Sequence, residues 1–113
     1  MKNTVLLCTA FGMGKTTDES LNTKLISKYF SLLVEGNLYP NAICFYTDGV
    51  RLVCEGSPVL EQLAQLEQKG TRLIVCSTCL EAMDLRHALK IGIVGGMPDI
   101  IEAQIKADKV ITL

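Results

Sequence analysis

Cys76-Ser77-Thr78-Cys79 places two thiols three residues apart, between the apolar run Leu73-Ile74-Val75 and a helix-forming segment that runs from Leu80 to Lys90. A thiol where a buried strand opens onto a helix start is placed for nucleophilic work, because unpaired backbone N–H groups and the positive end of the helix dipole favour thiolate over thiol. Thr78 and Glu81 match the S/T-x-x-E capping box, which predicts Thr78 as the N-cap and Cys79 as the first helical residue. Glu81 in the same turn opposes the dipole, so the expected thiol is reactive without being extreme. Spacing alone leaves four readings of Cys76 and Cys79 open: a thioredoxin-like redox pair, half of a metal site, a nucleophile that carries sulfur as a persulfide, and two inert buried thiols. A four-ligand zinc site needs two further ligands, yet the remaining cysteines are isolated and His87 is the only histidine, so no metal is expected. The redox reading has the right spacing but lacks a Trp-Cys-Gly-Pro-Cys type of context.

A second set of chemistry-bearing residues follows the first apolar run. Thr9 to Thr16, TAFGMGKT, resembles a phosphate-binding loop with Thr9 in the place of the first glycine, and Asp48 at a strand end could imitate a Mg²⁺-orienting acid. Against nucleotide binding, the chain is short for a nucleotide-hydrolysing domain, and a Gly-x-Gly turn before a helix is common without any phosphate. His87, beside Arg86 and opposite the apolar stripe of its helix, is expected to be solvated. Met13 and Met97 fall in the two Gly-rich loops, where they could line a small apolar mouth around the thiols.

The elements that must position these groups alternate between strand and helix. Thr4 to Thr9 reads as a strand, and a helix follows from about Asp18 to Glu35, with Leu21, Leu25, Ile26, Tyr29, Leu32 and Leu33 recurring at helical spacing and Gly36 as a stop. Ala42 to Tyr46 is a second strand, and Val50 to Cys54 a short extended piece without a clear place. Ser57 and Pro58 open a second helix as N-cap and first helical residue, with Val59, Leu60, Leu63 and Leu66 on its buried face and Gly70 at its end. Arg72 to Val75 is the third strand, and the helix after the CxxC is expected to bury Ala82, Leu85 and Leu89. Ile91 to Val94, a helix over about Asp99 to Ala107, and a strand over Val110 to Leu113 complete the pattern. Such alternation predicts one α/β domain over residues 1–113, a three-layer α/β/α sandwich on a mostly parallel five-stranded sheet with right-handed crossovers. Four loops, Phe11 to Thr16, Thr47 to Val50, Cys76 to Cys79 and Gly95 to Pro98, would then share the C-terminal edge of the sheet, where open α/β sheets bind their ligands.

Composition narrows the classes. At 113 residues, with 49% apolar and 20% charged residues and no Trp, the chain is one domain with a mainly aliphatic core. A net charge of −1 without a Lys/Arg cluster argues against nucleic acid and anionic membranes as partners. No apolar run reaches membrane-span length, and no signal-peptide pattern precedes the first strand, so the expected location is the cytoplasm. Of five cysteines, Cys8, Cys44 and Cys54 sit in or beside apolar runs as small buried hydrophobes, which disfavours a secreted disulfide framework.

The stretches PNAICFYTDGVRLVCEGSPVLEQLAQLEQKG, LIVCSTCL and VGGMPDIIEAQIKADKVITL, with the GMG turn before the first helix, resemble the DsrE/DsrF-like superfamily. Within it they are most similar to the C-terminal domain of the YedF-type, sulfurtransferase-like proteins of selenium metabolism. The resemblance covers nearly the whole chain and implies a compact α/β/α domain in which a cysteine after a central strand accepts, holds or passes on sulfur, with no cofactor. It makes Cys76, immediately after the strand, the primary acceptor and Cys79 the second thiol of the TCL variant. Around them the expected ligand-binding positions are Gly12, Gly14 and Thr16 in the first loop, Asp48 and Gly49 in the second, and Gly95, Gly96 and Met97 in the fourth. It also implies a homo-oligomer and separate sulfur donor and acceptor proteins, because the small sulfur-carrier domain with a Cys-Pro motif does not occur in this sequence. Asp48 stands where the family pattern leads one to expect Asn. The rival expectation is a non-catalytic oligomeric binding or regulatory module that takes a small anion or nucleotide at the same crevice.

Overall fold

The computed structural model describes residues 1–113. In chain order the elements are β1 (Thr4–Cys8), α1 (Glu19–Glu35), β2 (Ala42–Phe45), a 3₁₀ segment (Thr47–Val53), α2 (Leu60–Gln68), β3 (Arg72–Cys76), α3 (Ser77–Ala82), a short 3₁₀ turn (Arg86–Ala88), β4 (Ile93–Gly95), α4 (Met97–Lys106) and β5 (Lys109–Thr112). The five strands form one all-parallel sheet in the order β4-β3-β2-β1-β5, an α/β fold as the alternation predicts. Its central strands read as unbroken apolar runs because both faces are covered. Val5, Leu6, Ile43, Cys44, Leu73 and Val75 are all buried.

Chain direction decides which face each helix covers. From β1 to β4 the chain steps one strand at a time in one direction, so right-handed crossovers put the intervening helices on one face. There α1 and α2 lie side by side, joined by Gln62 Nε2 donating to Ser31 Oγ at 3.3 Å. The last crossover reverses direction and passes from β4 back across the sheet to β5, which carries α4 over the opposite face. None of the helices is long and apolar enough to cross a membrane.

Several expectations from the sequence shift. Helix α2 starts at Leu60 with Val59 as its N-cap, two residues later than Ser57 and Pro58 suggest. Helix α1 buries Asn22, Ile26, Phe30 and Leu33, leaving Leu21, Leu25 and Leu32 at 43%, 40% and 61% exposed. Its buried stripe is thus rotated from the one the leucines suggest, because a polar residue, Asn22, occupies the first inward position. Val50 to Cys54 is no extended strand: the 3₁₀ segment buries Val50, Leu52 and Val53 under the sheet edge. The helix after the CxxC ends at Ala82, since Asp84 takes a left-handed φ of 52° and breaks it. Leu80 is then the buried residue of α3, Leu85 and Leu89 are half-buried, and Ala82 is exposed.

Gly49 is where the loop after β2 passes closest to the end of β1. A Cβ at this position would lie 1.9 Å from the Cys8 carbonyl oxygen and 2.5 Å from its carbon. Both are backbone atoms in a paired strand, so neither can yield cheaply. Gly49→Ala is expected to destabilise the fold by about 3 kcal/mol in urea unfolding, whereas a change below about 0.5 kcal/mol would show that this close approach is not obligatory.

Candidate functional site

Three of the four loops at the C-terminal sheet edge are tied to one another at Thr47. Its backbone N–H donates to Cys79 Sγ at 3.1 Å, and its hydroxyl lies 2.6 Å from the carbonyl oxygen of Thr9, just beyond β1. The loops after β1, β2 and β3 therefore meet beside one sulfur. Helix α3 has only six residues, too few to persist alone, and it is held by the fully buried Leu80, which contributes about 2 kcal/mol through apolar burial. The backbone N–H of Leu85 donates to the Leu80 carbonyl at 2.8 Å and closes the turn that follows.

The start of α3 differs from the capping-box expectation. Cys76 itself is the N-cap, with no side-chain cap bond, and Ser77 is the first helical residue. Thr78 lies inside the helix, and Cys79 occupies its third position. The extended conformation persists one residue further than the apolar pattern indicates because Cys76 still pairs with Gly95 of β4. Cys76 is 2% exposed, while Cys79 is half-buried and reachable from solvent. Burial pushes the Cys79 thiol above its ordinary value, the Thr47 N–H pulls it back, and the neighbouring Cys76 thiol pushes it up again through hydrogen bonding and charge repulsion. The net direction is upward, with burial the largest cause, where a helix start alone would favour thiolate.

Beside this junction lies an open cleft of about 430 Å³, lined by Gly14, Lys15, Thr16 and Glu19 on the first loop and α1, and by Asp48 and Arg51 on the 3₁₀ segment. Asn22 shapes it from below. Its side-chain N–H groups donate to the carbonyls of Met13 and Gly14, both at 2.9 Å, and its backbone carbonyl accepts from the Met13 N–H at 3.1 Å. Gly12 packs directly on that residue, since a Cβ there would fall 2.4 Å from Asn22 Cβ. Asp48 and Arg51 form an exposed ion pair at 3.6 Å, worth little in stability but leaving both charges at the cleft wall. No three metal-ligating side chains come close enough together to hold a metal ion.

A sequence profile of the DsrE/DsrF-like family matches residues 1–113. The chain belongs to the DsrE/DsrF-like family. That family is linked to sulfur relay. Among solved structures, the ychN protein from E. coli is similar with a TM-score of 0.68 at 17% identity, covering 100% of each chain. MTH1491 from Methanobacterium thermoautotrophicum, a protein of unknown function, gives 0.66 at 22% identity over 97% of each chain. BT1422 from Bacteroides thetaiotaomicron, also of unknown function, gives 0.65 at 13% identity over 98% of this chain and 95% of its own. At these identities the neighbours establish the fold. Comparison with curated protein sequences returns no match.

Of the positions singled out in the sequence, Cys76 and Cys79 are brought together, and Gly14, Thr16 and Asp48 line the neighbouring cleft. Gly12 and Gly49 are buried packing glycines rather than lining residues. Gly95, Gly96 and Met97 sit beyond Cys76 at the β4 side, where Gly96 N–H donates to the Asp99 carboxylate at 2.8 Å and Met97 is 50% exposed. They do not line the cleft. The sequence reading did not single out Thr47, Asn22 or Arg51. Only Asn22 carried a signal, as a polar residue in register with Ile26, Phe30 and Leu33.

The remaining thiols are buried, Cys8 and Cys44 within the sheet and Cys54 at the end of the 3₁₀ segment. Burial raises Cys44 to about 11 from an ordinary 9.0, with Arg72 offsetting part of the rise, and drives Cys8 further still. Native iodoacetamide labelling should therefore modify Cys79 first and leave Cys8, Cys44 and Cys54 unmodified until denaturant is added. The raised values also fix the sign of a stability change. The folded state keeps protons that the unfolded chain releases, so this contribution is complete below the ordinary value of 9.0 and is lost as pH climbs towards about 11 for Cys44. The urea midpoint should fall over that alkaline range, and fall less in Cys44→Val. Equal slopes in the two proteins would contradict the assignment.

Proposed function

We propose that this protein is a sulfur-relay or persulfide-carrier protein that loads sulfur on Cys79 and uses Cys76 as its resolving thiol. The carrying observation is that Cys79 is the solvent-reachable sulfur, receives the Thr47 N–H and adjoins a second thiol. This order reverses the one the family resemblance implies, in which Cys76 accepts first; the burial of Cys76 favours the reversal. Closeness to the YedF-type branch is part of the proposal and rests on the LIVCSTCL and closing KVITL stretches.

The chemistry balances with thiols alone. Cys79 thiolate attacks the terminal sulfur of a donor persulfide; the donor S–S bond breaks, the Cys79 S–S bond forms, and the donor leaves as thiolate. An acceptor thiolate then attacks the terminal sulfur and expels Cys79 thiolate. Where no acceptor is docked, Cys76 thiolate attacks Cys79 Sγ instead, forming the Cys76–Cys79 disulfide and releasing hydrosulfide, and an external dithiol must then reduce the disulfide. Five free thiols fit a reducing compartment, which supports a cytoplasmic location. The partners in this proposal are sulfur donor and acceptor proteins together with further copies of the chain. In favour of self-association, Met97, Ile101 and Ile105 recur every fourth residue on α4 and are 50%, 48% and 78% exposed.

A second reading is a binding module, favoured by the cleft where Lys15 and Arg51 place cations beside the Gly-rich loop. Single-turnover experiments separate the two. With inorganic polysulfide as donor, Cys79→Ser should lose more than about 90% of loading, while Cys76→Ser should load normally and release hydrosulfide at least about tenfold more slowly. Full loading in Cys79→Ser would restore Cys76 as acceptor. Full loading in the double variant, or none in the parent protein with saturable binding of phosphate or nucleotide, would favour the module.

A further inference from the structure

The geometry points to Thr47 as the positioning residue of the sulfur site: a strained turn, anchored to the end of β1 by its hydroxyl, that keeps one backbone N–H aimed at Cys79 Sγ and thereby speeds the departure of Cys79 when sulfur is passed on. The sulfur-transfer part of this inference rests on the persulfide-carrier reading; the part that concerns ionisation of Cys79 does not.

Three residues other than glycine have left-handed φ values: Asn37 at 54°, Asp84 at 52° and Thr47 at 49°. Asn and Asp tolerate that region because their short polar side chains bond locally, but a β-branched Thr crowds its own backbone there. Thr47 must therefore be held. Its hydroxyl lies 2.6 Å from the Thr9 carbonyl and 2.7 Å from the Tyr46 carbonyl, so its single proton is always within reach of an acceptor. On either side, the Tyr46 N–H donates to the Cys8 carbonyl at 3.1 Å, and Gly49 packs against that same carbonyl. A residue fixed at both ends in an unfavourable conformation has one unusual product, an N–H directed at a sulfur 32 positions away.

What that N–H does depends on where charge develops. During loading, Cys79 Sγ begins as thiolate and loses its charge, so the N–H increases the amount of thiolate but lowers its nucleophilicity, and the two effects largely offset. During transfer to an acceptor, negative charge grows on Sγ as the S–S bond breaks, and the N–H stabilises it in place. Release gains more than loading. The neighbouring Cys76 thiol acts in the opposite sense and raises Cys79.

The test uses Thr47→Val, Thr47→Ser and Thr47→Gly in the full chain, with the pH dependence of Cys79 alkylation resolved by peptide mass spectrometry. Beside it, single-turnover sulfur release to 2-mercaptoethanol is followed from protein preloaded with inorganic polysulfide. Thr47→Val loses the anchor and should raise the Cys79 titration midpoint by about one unit and slow release about fivefold, with loading changed less than about twofold. Thr47→Ser keeps the anchor and should restore both. Thr47→Gly keeps the left-handed turn without the anchor and should fall between. An unshifted Cys79 midpoint in folded Thr47→Val, or the same shift in all three variants, would overturn the inference. Should Thr47→Val not fold, equal midpoints in the Gly and Ser variants would do so. If the parent protein accepts no sulfur, the carrier reading fails, and the alkylation profiles still decide the role of Thr47.

Discussion

The C-terminal edge of this sheet depends on a backbone-to-backbone approach with no room for a single extra carbon, Gly49 against the Cys8 carbonyl. Because the chain can pass there, the 3₁₀ segment tucks Val50, Leu52 and Val53 beneath the sheet instead of swinging into solvent. That brings Thr47 between the end of β1 and the start of α3, where one residue can bond to both. A loop displaced by even a methyl group would still connect β2 to α2. It would no longer present a donor to Cys79.

On the persulfide-carrier reading, the sulfur pair must meet two demands. A carrier thiol must be deprotonated to accept sulfur, yet shielded enough that the cargo is not lost to the first thiol it meets. Burial and the neighbouring Cys76 thiol hold Cys79 on the protonated side, and the Thr47 N–H opposes them. This is a different solution from activation by a long helix dipole, for which six residues of α3 are too few. It also leaves the two thiols unequal: Cys79 is half-buried and reachable from solvent, whereas Cys76 is 2% exposed.

The architecture was legible in the sequence because its signals are redundant. Buried parallel strands read as unbroken apolar runs, each is followed by helix punctuation such as Asp18, Gly36 or Gly70, and the alternation admits few topologies. The candidate site was half legible. CxxC marks itself by residue type, and the Gly-rich loop by composition, so residue type points to the Cys76 and Cys79 pair and to Gly14, Thr16 and Asp48 on the cleft wall. It does not point to Thr47, because what Thr47 presents is a backbone conformation and an N–H, and neither depends on a residue type that would draw attention. The end of α3 was missed since nothing in Leu80 to Lys90 but Asp84 breaks a helical pattern, and Asp is a weak breaker. The phase of α1 was misjudged because Leu21, Leu25 and Leu32 outweighed one inward-facing Asn.

The central claim is that sulfur enters this fold at Cys79. Brief exposure of the native, fully reduced protein to a stoichiometric persulfide donor, alkylation of all accessible sulfur, and peptide fragmentation would locate the added atom within the Cys76-Ser77-Thr78-Cys79 segment. The account predicts one extra sulfur on Cys79 at the earliest time point, followed by a Cys76–Cys79 disulfide as hydrosulfide appears. An extra sulfur first on Cys76, or on Cys8, Cys44 or Cys54, would contradict it.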